Sequence, residues 1–565
     1  MSQTPQQDAA VRTPTALDAI ADDHVARATA LDPFLATSLG VPGHEGEVPD
    51  YSAAGFDAQA ALARETLERI AQTPDEDEVD AVTRAAMTER LGLELELDSL
   101  GISRAQVNNI ASPLQSQGIF DMMATETAED WEAIAQRLAS FPQLLEGWAQ
   151  TLRAEADRGV ISARRQLELG AEQARGYADE TSGYFAHLAQ RMPEDCPARE
   201  QVTAALAQAR QAYRDIAAVL DELSPRAPEA DAVGREAYAL ASRVYLGTAI
   251  DIEETYAWGI EHLRQIIAEQ EEVASRINAH YGSGAGSDIA AARAALNSDP
   301  ERTLHGSDAL QAWMQQLSDQ AVRELSGTHF DIPEPLHRLE CRIAETGSGG
   351  IYYTGPSEDL TRPGRMWWDV PHGTTEFHTW SETTTVYHEG VPGHHLQVGI
   401  QTLQTKNLNR WRAMLCWVSG HGEGWALYSE RLMDQLGYLS DDGDRLGMLD
   451  AQRMRAGRVV LDIGLHNGLP MPEGIPGSAG GEWTYEKAWA FMDENWGLED
   501  KDTQRFELHR YLGWPGQAPS YKLGQREWES LRDAALASGQ DLKDFHGRAL
   551  ELGSLPLSVL AGALA

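Results

Sequence analysis

The stretch HEGVPGHHLQ, residues 388–397, sets an imidazole and a carboxylate side by side at His388 and Glu389. Hydrolysis assisted by a divalent ion needs three protein ligands, an open coordination position and a carboxylate within reach of the attacking water. The common arrangement puts two histidines one helical turn apart with a glutamate beside the first. Here the next-turn position is Pro392, and two histidines come later, as His394 and His395. Pro392 cannot donate its amide to residue 388, and Gly393 invites irregular backbone. A regular helix would return His395 to the face of His388 after nearly two turns. A Pro-Gly bulge that adds two residues would present His394 instead, and spacing alone leaves both open.

A third ligand is offered downstream, where HGEGWALYSERL opens a helix at Glu423. Glu430 lies about two turns further on the same face, placed to support a ligand from behind. His372, His378 and His421 flank these stretches and are read as structural or solvated.

These groups have to be held by the surrounding elements. From about Ala16 to Leu325 apolar residues recur at three- and four-residue spacing, as in QVTAALAQARQAYRDIAAVLDEL, which predicts amphipathic helices. VPGHEGEVPD, SPRAPEADAVG and YGSGAGSD read as interhelical loops. After Phe330 the texture changes. GIYYTG and RMWWDV predict a small β-hairpin directly before the His-Glu helix, for which Ser381 is the expected N-cap. The expected fold is mainly α, a large two-lobed helical protein with one small β-sheet beside the active-site helix. Residues 1–330 would form an N-terminal helical lobe and 331–565 a C-terminal metal-binding lobe, or both one continuous domain around a cleft.

The chain has 565 residues, 42% of them hydrophobic, enough for a sizeable core. Its formal charge is −41, with 87 acidic against 46 Lys plus Arg residues, which argues against nucleic acid or an anionic membrane as partner. Three scattered cysteines fit reduced thiols. The N-terminus has neither a basic n-region nor an apolar h-region, and LPLSVLAGALA is too short to span a bilayer, so the expected compartment is the cytoplasm.

The paired stretches HEGVPGHHLQ and EGWALYSE resemble the HE-x-x-PGH-x-x-Q and EGWA-x-Y-x-E pattern of the bacterial family DUF885, itself similar to zincin metallopeptidases of the gluzincin type. IYYTGPSEDLTRPG, RVVLDIGLH, EWTYEKAWAFM and RYLGWPGQAPSYKLG extend the resemblance. It implies one zinc ion per chain held by His388, His394 and Glu423, with Glu389 the general base, while His395 stays the alternative ligand that spacing leaves open. It implies a zincin-like fold with a deep cleft. One departure is NGLPMPEGIPGSAGG at 467–481, longer than the family's join, where the rim of the site would be remodelled.

Amide hydrolysis also needs donors aimed at the developing oxyanion. The candidates are Tyr511, Tyr521 and His466, with Tyr511 first. Arg458, Asp462 and His466 share a helix face, where Asp462 either orients His466 or joins a structural polar ladder. Arg510 and Lys522 are candidates to bind a substrate carboxylate, and the strand carrying Tyr353 to pair with a substrate backbone. The expected function is zinc-dependent hydrolysis of small peptides, as a carboxypeptidase, dipeptidase or oligopeptidase. Its alternatives are hydrolysis of a non-peptide amide or other small molecule, and a non-catalytic metal-bound binding protein.

Overall fold

Thr15 and Thr127 each close a capping box with the aspartate three residues on, and Asp251 caps a later long helix by accepting from the Glu254 amide. In a computed structural model, which describes residues 12–344, 350–497 and 500–565, these signals open the helices Ala16–Leu31, Ala128–Asp157 and Ile252–His280. The architecture is mainly α with small sheets.

Two helical cores are distinct. The helices Ala128–Asp157 and Arg199–Leu223 pack along their apolar stripes, burying Trp131, Phe141, Trp148, Tyr213 and Ile216 with their neighbours in one cluster between Val107 and Ala227. The larger cluster joins Val25, Leu91, Tyr238 and Leu263 to Trp425, Val459, Phe491 and Leu560, so it draws on both sides of position 330. The C-terminal apolar run forms the helix Leu557–Leu564 and buries Leu557 and Leu560 against this body. Among the described residues no helix is long and apolar enough to cross a membrane.

The expected hairpin is present. Strand β3 (Ile351–Thr354) pairs antiparallel with β4 (Gly364–Asp369), and β4 also pairs in parallel with β2 (Leu339–Ala344), giving the order β2-β4-β3. A second, two-stranded sheet was not expected: β1 (Thr303–His305) pairs with β5 (Glu376–His378). β5 runs straight into the helix Thr379–Glu389, so the sheets set where the His-Glu helix begins. That helix starts two residues before Ser381, with His378 as N-cap. The Ser381 hydroxyl donates backwards to the His378 carbonyl, which corrects its expected capping role.

Candidate metal centre

Glycine, not proline alone, shapes the turn between the histidines. The helix ends at Glu389, Gly390 caps it, and a new helix, His394–Leu403, begins after the cis Val391–Pro392 bond. The chain therefore breaks into two helices, where the sequence left open a regular helix or a bulge within one. The Gly393 amide donates to the Tyr387 carbonyl and the His395 amide to that of Gly390, both at 3.1 Å. A Cβ on Gly393 would lie 1.9 Å from the His388 carbonyl oxygen, so no larger residue fits. Trp425, fully buried, donates its indole N–H to the Pro392 carbonyl at 2.9 Å and ties the turn to the helix Ser419–Gln435. Glu423 sits in that helix's second turn; the helix begins at Ser419, earlier than the sequence suggests.

The turn brings the His388 and His394 rings to 5.0 Å between centroids, almost perpendicular. Glu423 Oε2 lies 3.5 Å from His388 Nε2 and 3.6 Å from His394 Nε2. One ligand atom from each of the three residues falls within 4.8 Å of the others. Zinc bonds of ordinary length at tetrahedral angles would separate ligand atoms by about 3.4 Å, close to these two edges. Behind the group, His388 Nδ1–H donates to Glu430 Oε1 at 2.7 Å, and Thr384 holds the other Glu430 oxygen at 3.0 Å. This holds Nδ1 as the donor, so that the His388 Nε2 lone pair faces the site beside Glu423 once that nitrogen gives up its proton. His388, His394 and Glu423 could therefore hold a metal ion.

His395 points elsewhere. Its Nε2–H donates to the Leu336 carbonyl and its Nδ1 accepts from the Tyr353 hydroxyl, both at 2.9 Å. Burial pushes this ring down to about 4, so it stays neutral. The ligand-side groups behave oppositely. Burial works against charge on His388, but its bonds to Glu423 and Glu430 outweigh that and lift it to about 9. Burial raises Glu423, yet His388 and His394 outweigh it and hold the carboxyl well below the usual range. Glu389 is raised by burial, against the opposing pull of His394 and His388, and its Oε2 is buried without a hydrogen-bond partner.

A cavity of about 330 Å³ opens over the group, lined by His388, Glu389, His394 and Glu423 and by Tyr352, Tyr353, Trp417, Arg455, Arg458 and Tyr521. Tyr521 arrives because two helices touch backbone to backbone. A Cβ on Gly424 would meet Gly524 Cα at 2.6 Å, and one on Gly524 would lie 1.9 Å from the Gly420 carbonyl oxygen. The Gly residues of EGWA and SYKLG thus let the helices Ser419–Gln435 and Ser520–Ala537 close on each other.

The other candidates lie outside this lining. The Tyr511 hydroxyl donates to Glu507 at 2.6 Å and accepts from Arg458 at 2.9 Å and Trp496 at 3.2 Å. His466 bonds the Tyr511 carbonyl at 2.9 Å, and Asp462 accepts from the Tyr238 hydroxyl and the Gly516 amide. Arg510 is held by Glu507 and Gln517, and Lys522, driven down to about 7 by burial, by Gln452 and Gln525. None of the residues 467–481 lines the cavity; Pro470 accepts instead from the Tyr256 hydroxyl. The sequence reading missed Arg455 and Trp417. Arg455 had a signal, since it stands three residues before Arg458 and so on the same side of the helix Asp442–His466.

The fold is shared with two solved structures. A "putative lipoprotein" from Colwellia psychrerythraea aligns with TM-score 0.80 and 22% identity over 97% of this chain and 98% of its own. A "putative lipoprotein of unknown function" from Shewanella oneidensis aligns with TM-score 0.73 and 16% identity over 97% and 99%. A structure described as "PZ peptidase A with inhibitor 2" reaches a TM-score of 0.34 at 12% identity over 90% and 93%, too low to equate the folds. No curated protein matches the sequence. A family model described as "Bacterial protein of unknown function (DUF885)" matches residues 33–564, and the chain belongs to that family.

Proposed function

We propose that this protein is a zinc-dependent peptidase acting on small peptides, with one ion per chain. The observation that carries this reading is the convergence, in one cavity, of three ligand atoms and a fourth group, Glu389, whose buried Oε2 has no partner. A purely structural metal site has no use for that carboxylate.

When bound, the ion supplies a Lewis acid for the substrate carbonyl and for water. The chain supplies the rest. Glu430 and Thr384 hold His388 in one tautomer. Glu389, lifted by burial, accepts a proton from the attacking water and passes it to the leaving amine. The oxyanion donor passes from the sequence's first choice to Tyr521. Tyr511 has its hydroxyl engaged by three partners, whereas Tyr521 lines the cavity. Burial and the nearby Glu423 keep the Tyr521 phenol protonated and able to donate. β3 lies at the edge of its sheet, and Ile351, Tyr352 and Tyr353 line the cavity, so an extended substrate backbone would pair there. The cytoplasm remains our proposed compartment, checked by fractionating the native cells.

The test is a peptide screen on zinc-loaded protein, repeated after chelation and with Glu389→Gln. We expect cleavage that chelation abolishes, that zinc restores, and that the variant lacks despite full metal content. Turnover that survives chelation, or that persists in Glu389→Gln, would refute the reading.

A further inference from the structure

Arginines around this site are paired, in a chain where acidic residues outnumber Lys plus Arg by 87 to 46. Arg458 reaches Glu507 at 3.2 Å, and Arg510 reaches the same carboxylate at 2.6 Å. Arg453, on the same helix, is used up by Asn495, Gln270 and the Glu494 carbonyl. Arg455 departs from this pattern. It lines the cavity with the metal-binding group, yet among the described residues it forms no ion pair. Its one side-chain hydrogen bond there runs from Nη1 to the Ala451 carbonyl, at 3.3 Å, and its Nε is buried with no partner. A guanidinium offers five N–H donors in a planar fork, so most of this one is unengaged.

The helix that carries Arg455 is packed into the core. Gln452, Ala456 and Val459, around it on the helix, are fully buried. The Tyr521 ring lies 5.9 Å from the Arg455 guanidinium and 5.4 Å from that of Arg458. A half-buried guanidinium with no ion pair, lining the same cavity as the candidate metal ligands, is a receptor for a planar anion, and a carboxylate matches its fork in bidentate fashion. A cavity of about 330 Å³ stands at the small end for ligand pockets, room for the end of a peptide rather than a long segment.

We propose, building on the peptidase reading, that Arg455 anchors the free C-terminal carboxylate of the substrate, so that the substrate class is short peptides cleaved next to their C-terminus. Arg510 and Lys522, the sequence's candidates for this task, are committed to protein partners. A competing role for Arg455 is to offset Glu389 and Glu430, whose charge it opposes. That role is indifferent to what the substrate carries at its end, which gives the test its leverage.

The probes are a panel of N-acetyl dipeptides, each as free acid and as C-terminal amide, titrated by calorimetry into zinc-loaded Glu389→Gln protein, which blocks turnover. The same panel is titrated into Glu389→Gln/Arg455→Ala, after its zinc content has been shown to match. We expect at least one acid to bind about 10-fold or more tighter than its amide, the scale of a charge-assisted pair, and Arg455→Ala to erase that difference while leaving amide binding unchanged. Equal binding of acid and amide, binding of neither, or a preference that survives Arg455→Ala overturns the anchor. Turnover on the otherwise unaltered protein separates the two readings. Cleavage without acid preference leaves the peptidase and removes the anchor; acid-selective binding without cleavage does the reverse.

Discussion

Two prolines in this chain have opposite outcomes. Pro142 lies inside the helix Ala128–Asp157, which runs on for 30 residues. Pro392 lies between two helices that stop and restart around it. Inside a helix the ring removes one hydrogen bond at a cost of about 3 kcal/mol, which the helix around Pro142 bears and the chain at Pro392 escapes by breaking. Around Pro142 that cost is offset by Phe141, Leu144, Leu145 and Trp148, all buried in the N-terminal cluster. Around Pro392 stand Gly390 and Gly393, whose backbones leave the helical region, and Trp425 captures the Pro392 carbonyl. Proline permits a break; glycines and a waiting indole make one. In one region sequence regularity is converted to stability, and in the other an irregularity positions chemistry.

Substitutions in the two regions should therefore separate stability from site function. The largest effect is expected from Glu389→Gln, which should lower peptide turnover by about 10² to 10⁴ with zinc content and unfolding midpoint unchanged. Gly393→Ala should weaken zinc binding on the order of 100-fold, since the new Cβ displaces the His388 carbonyl, measured by competition with a chelating dye. Glu430→Ala, which removes the partner of His388 Nδ1, should cost about 10- to 100-fold in the same assay. Trp148→Ala should destabilise the fold by about 3 to 5 kcal/mol in denaturant while each folded molecule still binds zinc. Pro142→Ala should be mildest, raising stability by at most about 3 kcal/mol with no effect on metal.

A pH titration sharpens the same contrast. The His388 ring of metal-free protein is raised from 6.5 to about 9, so its contribution to stability is fully present below 6.5 and is lost as pH climbs through 9. Chelated protein should lose stability across that window. Zinc must displace the same proton, so binding at pH 7 should release it and tighten as pH rises towards 9, readable by calorimetry in buffers of different ionisation enthalpy.

The helical regions were legible from apolar spacing and caps, because helices of this kind are specified locally by a buried stripe. The hairpin was legible from GIYYTG and RMWWDV, but β1 and β5 were not. Their partners lie far apart in sequence, and each strand is three residues long. His388, Glu389 and Glu423 could be named from residue type and spacing, and Glu430 from helical periodicity. The choice between His394 and His395 could not, since it depends on a turn whose path is set by a carbonyl that Trp425 holds from another helix. Tyr511 and Tyr521 are alike as sequence. They differ because Glu507, Arg458 and Trp496 surround the first, while Gly424 and Gly524 carry the second to the cavity. Arg455 was overlooked because what distinguishes it is a missing partner, and that is a property of the packed structure.

The most direct measurement is metal content of purified protein beside its His394→Ala and His395→Ala variants. About one zinc per chain, lost with His394 and kept with His395, is the predicted result. Zinc lost with His395 and kept with His394, or no zinc in the unaltered protein after supplementation, would contradict the metal centre described here.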